Sequence, residues 1–150
     1  RSTSIAAVDG DSLLASLMAG KKRDQDLVAA IYFGNGDGSF SRANAGLGDV
    51  WLGDNAIGDV KGDGPPDLLI TGIDADEKPV TTLYLGHGDG TFSEADAGLF
   101  GAGDGSVSIA DVDQDQDQDL LITGETTALA DSAAPASILY ENTGDWGETD

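Results

Sequence analysis

Apolar residues along this chain fall in short runs of β-branched, leucine and aromatic side chains, each closed by Gly or Asp, and helical periodicity is not sustained anywhere. Such runs predict strands joined by tight turns. In the middle of the chain they place strands near Ala56–Asp59, Asp67–Thr71, Thr81–Leu85 and Thr91–Glu94, a four-stranded antiparallel meander. The expected fold class is all-β.

The pattern repeats. DVKGDGPPDLLITG begins at Asp59 and DVDQDQDQDLLITG at Asp111, 52 residues later. An eroded third copy lies the same distance upstream, where Ala7, Asp9, Asp11, Ala15 and Gly20 fall in register with Asp59, Lys61, Asp63, Asp67 and Gly72. GNGDG at 34–38 and GHGDG at 86–90 share that offset, and Asp-Gly tolerates the positive backbone dihedrals of a tight hairpin. The third unit weakens this motif to NTGDW at 142–146. Tyr140 lies 56 residues after Tyr84, so four residues are inserted, and they fall in ETTALADSAAPAS. Units therefore run 1–52, 53–104 and 105–150, the last reaching only the start of its fourth strand. Four strands in about 50 residues is the arithmetic of a β-propeller blade.

Charge narrows the partners. Seven basic against 28 acidic residues give a net charge of -21, which opposes nucleic acid, phosphorylated ligands and anionic membranes and favours cations. The acids are 23 Asp and 5 Glu, and ten of the Asp lie in the three periodic loops, where short carboxylates suit oxygen coordination of a hard cation. Without Cys there is no disulfide and no thiolate metal site. No apolar run reaches the roughly 18 residues of a membrane span.

The third loop carries Asp111, Asp113, Asp115, Asp117 and Asp119 at positions 1, 3, 5, 7 and 9. Five clustered carboxylates repel one another, and a bound divalent ion relieves that repulsion. An EF-hand would need Gly at position 6, Glu at 12 and a following helix, whereas Gln116 and Ile122 occupy those places and LLITG reads as strand. The DxDxDGxxDLLITG pattern, the LYLGxGDGTF hairpin and the AGL link together resemble the FG-GAP or VCBS repeat family of integrin-α-like β-propellers, over nearly the whole chain. The resemblance implies calcium held by carboxylates at positions 1, 3, 5 and 9 and a carbonyl at 7. Those roles carry over to Asp111, Asp113, Asp115, Asp119 and the backbone of Asp117. In the second unit Asp59, Asp63 and Asp67 match, but Lys61 stands at position 3, where its ammonium competes with an ion. The first retains Asp9 and Asp11, with Ala at both outer positions, a weak or empty site. Gln114, Gln116 and Gln118 depart from the family's usual glycines.

Other residues point away from catalysis. His87, the sole histidine, sits in a hairpin turn, and no G-x-S-x-G elbow accompanies the serines. Repeated equivalent Asp residues are poor candidates for the two differently tuned carboxyls of glycoside cleavage. Trp51 and Trp146 fall outside the repeat pattern and fit packing or partner contact. The expectation is a non-enzymatic, calcium-stabilised propeller module of an extracellular or surface protein, serving self-assembly, adhesion or ligand display. Three blades do not close a ring, so a homo-oligomer (closed ring or head-to-tail filament) or further blades of a longer chain are expected partners. The alternatives are a lectin-like glycan-binding propeller and a non-catalytic fragment of a polysaccharide lyase or hydrolase.

Overall fold

The computed structural model describes residues 2–6, 15–21, 27–42, 46–51, 53–126, 135–144 and 146, with side chains from Ala30 onward. These residues form eleven strands and no helix. The first sheet comprises β1 (Ser2–Ala6), β2 (Ala15–Lys21), β3 (Leu27–Gly34) and β4 (Phe40–Arg42). The second comprises β5 (Asn55–Gly58), β6 (Asp67–Ile73), β7 (Pro79–Gly86) and β8 (Phe92–Ala95). The third has β9 (Gly103–Ala110), β10 (Asp119–Glu125) and β11 (Pro135–Tyr140). Each is an antiparallel meander in chain order. The four strands expected in the second unit are present to within two residues at each end.

The sheets stack face on face, with the second in the middle. Alternation along β6 and β7 sends Leu68, Ile70 and Tyr84 toward the first sheet, where they meet Ile31 and Val50. Leu69, Leu83 and Leu85 point the other way, into a cluster with Val107, Leu120 and Ile122 of the third sheet. Every residue of β6 is consequently buried, which explains why DLLITG reads as an unbroken apolar run.

Each incoming link is pinned to the sheet it enters. Tyr84 Oη accepts the Gly48 N–H at 2.8 Å, and its counterpart Tyr140 accepts the Phe100 N–H at 2.9 Å. Asp54, just before β5, reaches the next sheet and accepts the Ser106 hydroxyl at 2.7 Å. Before β5 the inner strand already pairs through Trp51 and Ile73, then arches over Gly53. A Cβ on Gly53 would lie 1.8 Å from the Thr71 carbonyl oxygen, and one on Gly105, 52 residues on, 2.0 Å from that of Thr123. Only glycine permits so close a crossing.

Candidate metal centre

Both described acidic loops leave an inner strand and return as the second strand of the same sheet: residues 59–66 between β5 and β6, and 111–118 between β9 and β10. Positions 4 and 6 of each adopt left-handed backbone. Gly62 and Gly64 do so at φ 73° and 103°, and Gln114 and Gln116 at 68° and 81°. The glycines reach this region freely, whereas each Gln bears roughly 1–2 kcal/mol of steric strain there. The third loop keeps the curl despite its residues because the carboxylate at position 1 holds it. Asp111 accepts the N–H of Gln114 at 2.6 Å and of Gln116 at 3.1 Å.

That curl gathers Asp111, Asp113 and Asp115, with one carboxylate oxygen from each lying within 4.8 Å of the others. A hard cation with oxygens at 2.3–2.6 Å spaces opposite ligands about 4.6–5.2 Å apart. The three oxygens therefore fit around a single ion. All three side chains are solvent-exposed, which leaves room for water or further oxygens to complete a shell. The Asp115 N–H favours the Asp113 carboxylate. Desolvation and the charges of Asp115 and Asp119 outweigh it, so the Asp113 carboxyl is raised above its ordinary value.

Asp119 and its counterpart Asp67 have a different occupation. Both are buried. Asp67 accepts the N–H groups of Val60 at 2.8 Å, Lys61 at 2.9 Å and Gly86 at 2.8 Å, tying the root of the loop to the end of β7. Asp119 likewise accepts from Val112 at 2.8 Å and Asn142 at 2.9 Å, and the Asn142 bond followed by that of Val112 draws its carboxyl below the ordinary range. At Asp67 burial wins over its three donors and raises the carboxyl. Position 9 is thus a pin between loop and hairpin, and Asp119 stands outside the three-carboxylate group. Asp117 also stands outside it, its N–H donating to Asp115 at 2.9 Å.

The second loop is satisfied internally. Asp59 accepts three N–H groups, from Gly62, Asp63 and Gly64 at 2.8–3.1 Å, one more than Asp111 accepts. Lys61 Nζ lies 3.3 Å from Asp63, supplying a tethered positive charge. Asp59, Asp63 and Asp67 do not form a metal-sized group. Asp9 and Asp11 lie outside the described residues.

Sequence reasoning missed Asn142. Its Nδ2 donates to the Val60 carbonyl at 2.7 Å and the Gln118 carbonyl at 3.2 Å, joining the roots of both loops across the sheet boundary. The only signal was its register with Gly86, where a Cβ would meet the Pro66 carbonyl oxygen at 2.2 Å. His87 is exposed, its N–H closing the hairpin onto the Thr91 carbonyl. Trp146 packs against the cluster containing Leu85, in the register position of Gly90, which in turn abuts Phe33. A large residue on one side of each sheet boundary faces a smaller one on the other.

Residues 59–122 match the family model of the FG-GAP-like repeat. The chain carries an FG-GAP-like repeat. The matched window starts at position 1 of the second loop and ends inside β10, so this FG-GAP-like unit holds both acidic loops and the hairpin between them. No curated protein matches the chain.

Proposed function

We propose that the chain is a non-enzymatic β-propeller repeat module whose third acidic loop binds calcium and fastens its sheet, in an extracellular or cell-surface protein that serves self-assembly, adhesion or ligand display. The observation that carries this reading is the convergence of Asp111, Asp113 and Asp115 on a single ion-sized point within an FG-GAP-like repeat. Calcium is favoured over magnesium because an exposed group of carboxylates with room for further oxygens suits variable coordination better than strict octahedral geometry. Exposure also suits the modest affinity of modules working at extracellular calcium, near 10⁻⁴–10⁻³ M. The ion's role is structural: the loop it closes joins β9 to β10, whose Val107, Leu120 and Ile122 form the boundary with the second sheet.

Thermal melting in calcium and in chelator tests this. At calcium about a hundred times Kd, linkage stabilises by roughly 2.7 kcal/mol, which raises the melting temperature by about 5–10 °C in a chain of this size. Asp113→Asn with Asp115→Asn removes that increment, and because it relieves carboxylate repulsion it does not lower the chelator curve. Superposed wild-type curves would sink the proposal.

A further inference from the structure

The loop that gathers the three carboxylates is the less firmly tied of the two at its ends. At position 1 Asp111 accepts two N–H groups where Asp59 accepts three. At position 9 Asp119 accepts two where Asp67 accepts three. Gln114 and Gln116 hold the positive-φ positions that glycine fills in the second loop. What the third loop has in addition comes from outside its own sheet. Asn142 is 6 % exposed, and every polar atom of its side chain is engaged. Its Nδ2 donates to the Gln118 carbonyl at the loop's exit and to the Val60 carbonyl in the second sheet's loop, while its Oδ1 accepts the Gly144 N–H at 2.8 Å. The Gln118 side chain leans the same way: a Cβ on Gly58 of the second sheet would stand 2.9 Å from its Oε1.

We propose that Asn142 is a positioning residue for the ion, through which the second sheet holds the third loop in its binding shape, a role that presupposes the calcium binding proposed above. Val112 lies between two of the converging carboxylates, Asp111 and Asp113, and its N–H is held by Asp119 Oδ2. The other oxygen of Asp119 takes the Asn142 N–H, so the Asn142 backbone aims that carboxylate. The Asn142 side chain in turn fixes its own backbone by bridging Gln118 to Val60 across the sheet boundary. Gly34 and Gly86 occupy the register of Asn142 in the first and second sheets and have no side chain to make such a bridge, so the dependence is confined to the third loop. An anchor in place before the ion arrives lowers the ordering cost of binding. By linkage, the ion tightens the boundary by the same factor that the boundary tightens the ion.

Calorimetric titration of calcium into the full chain reads the dissociation constant, and melting in chelator reads stability separately. Asn142→Gly keeps the N–H that Asp119 accepts and removes only the bridge, and it is expected to raise the calcium Kd at least about threefold. Asn142→Ser, whose hydroxyl still serves the Gly144 N–H but falls short of Val60, is expected to do the same and carries the test should Asn142→Gly not fold. Tyr140→Phe loosens the same boundary at the Phe100 N–H, a bond outside the loop, so it lowers the chelator melt and leaves Kd unchanged. A folded Asn142 variant whose Kd rises less than about threefold overturns the inference, as does a Tyr140→Phe chain whose Kd rises equally. Should calcium binding itself fail, the wild type gives no saturable heat; should the positioning role alone fail, wild type and Asn142 variants bind calcium with like affinity.

Discussion

Replacing Asp67 by Ala removes the acceptor shared by three backbone donors at the root of the second acidic loop. Its carboxylate is fully buried, with Val60, Lys61 and Gly86 N–H groups at 2.8–2.9 Å. Hydrogen bonds to a charged group contribute about 1.5–3 kcal/mol each. Lys61 is exposed and its N–H rehydrates, so the buried donors of Val60 and Gly86 dominate, for about 3–6 kcal/mol. Burial acts in the other direction. It raises the Asp67 carboxyl, and removing a desolvated charge returns part of that loss, leaving a net destabilisation of about 2–4 kcal/mol. Urea unfolding at neutral pH reads this as a midpoint shift of roughly 1–2 M, for a slope near 2 kcal/mol/M. The same loss is expected in calcium and in chelator, because Asp67 belongs to no metal-sized group. A loss under about 0.5 kcal/mol would refute the pin. A loss seen only with calcium would make position 9 of this loop a ligand instead.

Three further expectations concern other parts of the fold. Gly53→Ala and Gly105→Ala each drive a methyl into a carbonyl oxygen of the neighbouring strand, and each lowers stability by more than about 2 kcal/mol; wild-type melting of either variant would disprove the close crossing. Tyr84→Phe and Tyr140→Phe each strip a link N–H of its acceptor and cost about 1 kcal/mol, additive in the double variant since the two sites share no partner; a strongly non-additive pair would contradict independent pins. In the second hairpin the Thr91 hydroxyl and N–H hold the Asp89 carboxyl below its ordinary value of 3.8. A depressed folded value means this contribution is present above pH 3.8 and is lost as pH falls through the folded value, so the Thr91 amide resonance should titrate with a midpoint below 3.8. A midpoint at or above that value would remove the carboxylate from the turn.

Much of the local structure was legible from residue order. Asp-Gly hairpins declare themselves because few other pairs accept their dihedrals. GHGDG closes as expected, with Asp89 taking the Thr91 N–H and hydroxyl. Carboxylate spacing in DVDQDQDQD pointed to convergence, and Asp111, Asp113 and Asp115 do converge. The divided labour within the loop was less visible. Asp113 and Asp119 are the same residue type six positions apart, yet one is exposed beside its neighbours and the other is buried under two N–H groups. What separates them is Asn142, whose approach depends on how β11 ends and not on anything adjacent in the chain. Lys61 was the opposite case, since a cation in a row of acids already announced a loop able to neutralise itself.

The strands show where residue order stops being informative. DLLITG in β6 and DLLITG in β10 are the same six letters, and both form a second strand with an acidic loop before it. Propensity and alternation are local, so identical letters yield identical strands. Burial is not local. Leu69 lies in a dry cluster and Leu121 faces water, because a third sheet stacks on the second and no described sheet stacks on the third. The difference between core and surface at these two leucines arises from sheet stacking, which depends on contacts between residues about 50 positions apart and on what lies beyond the last sheet.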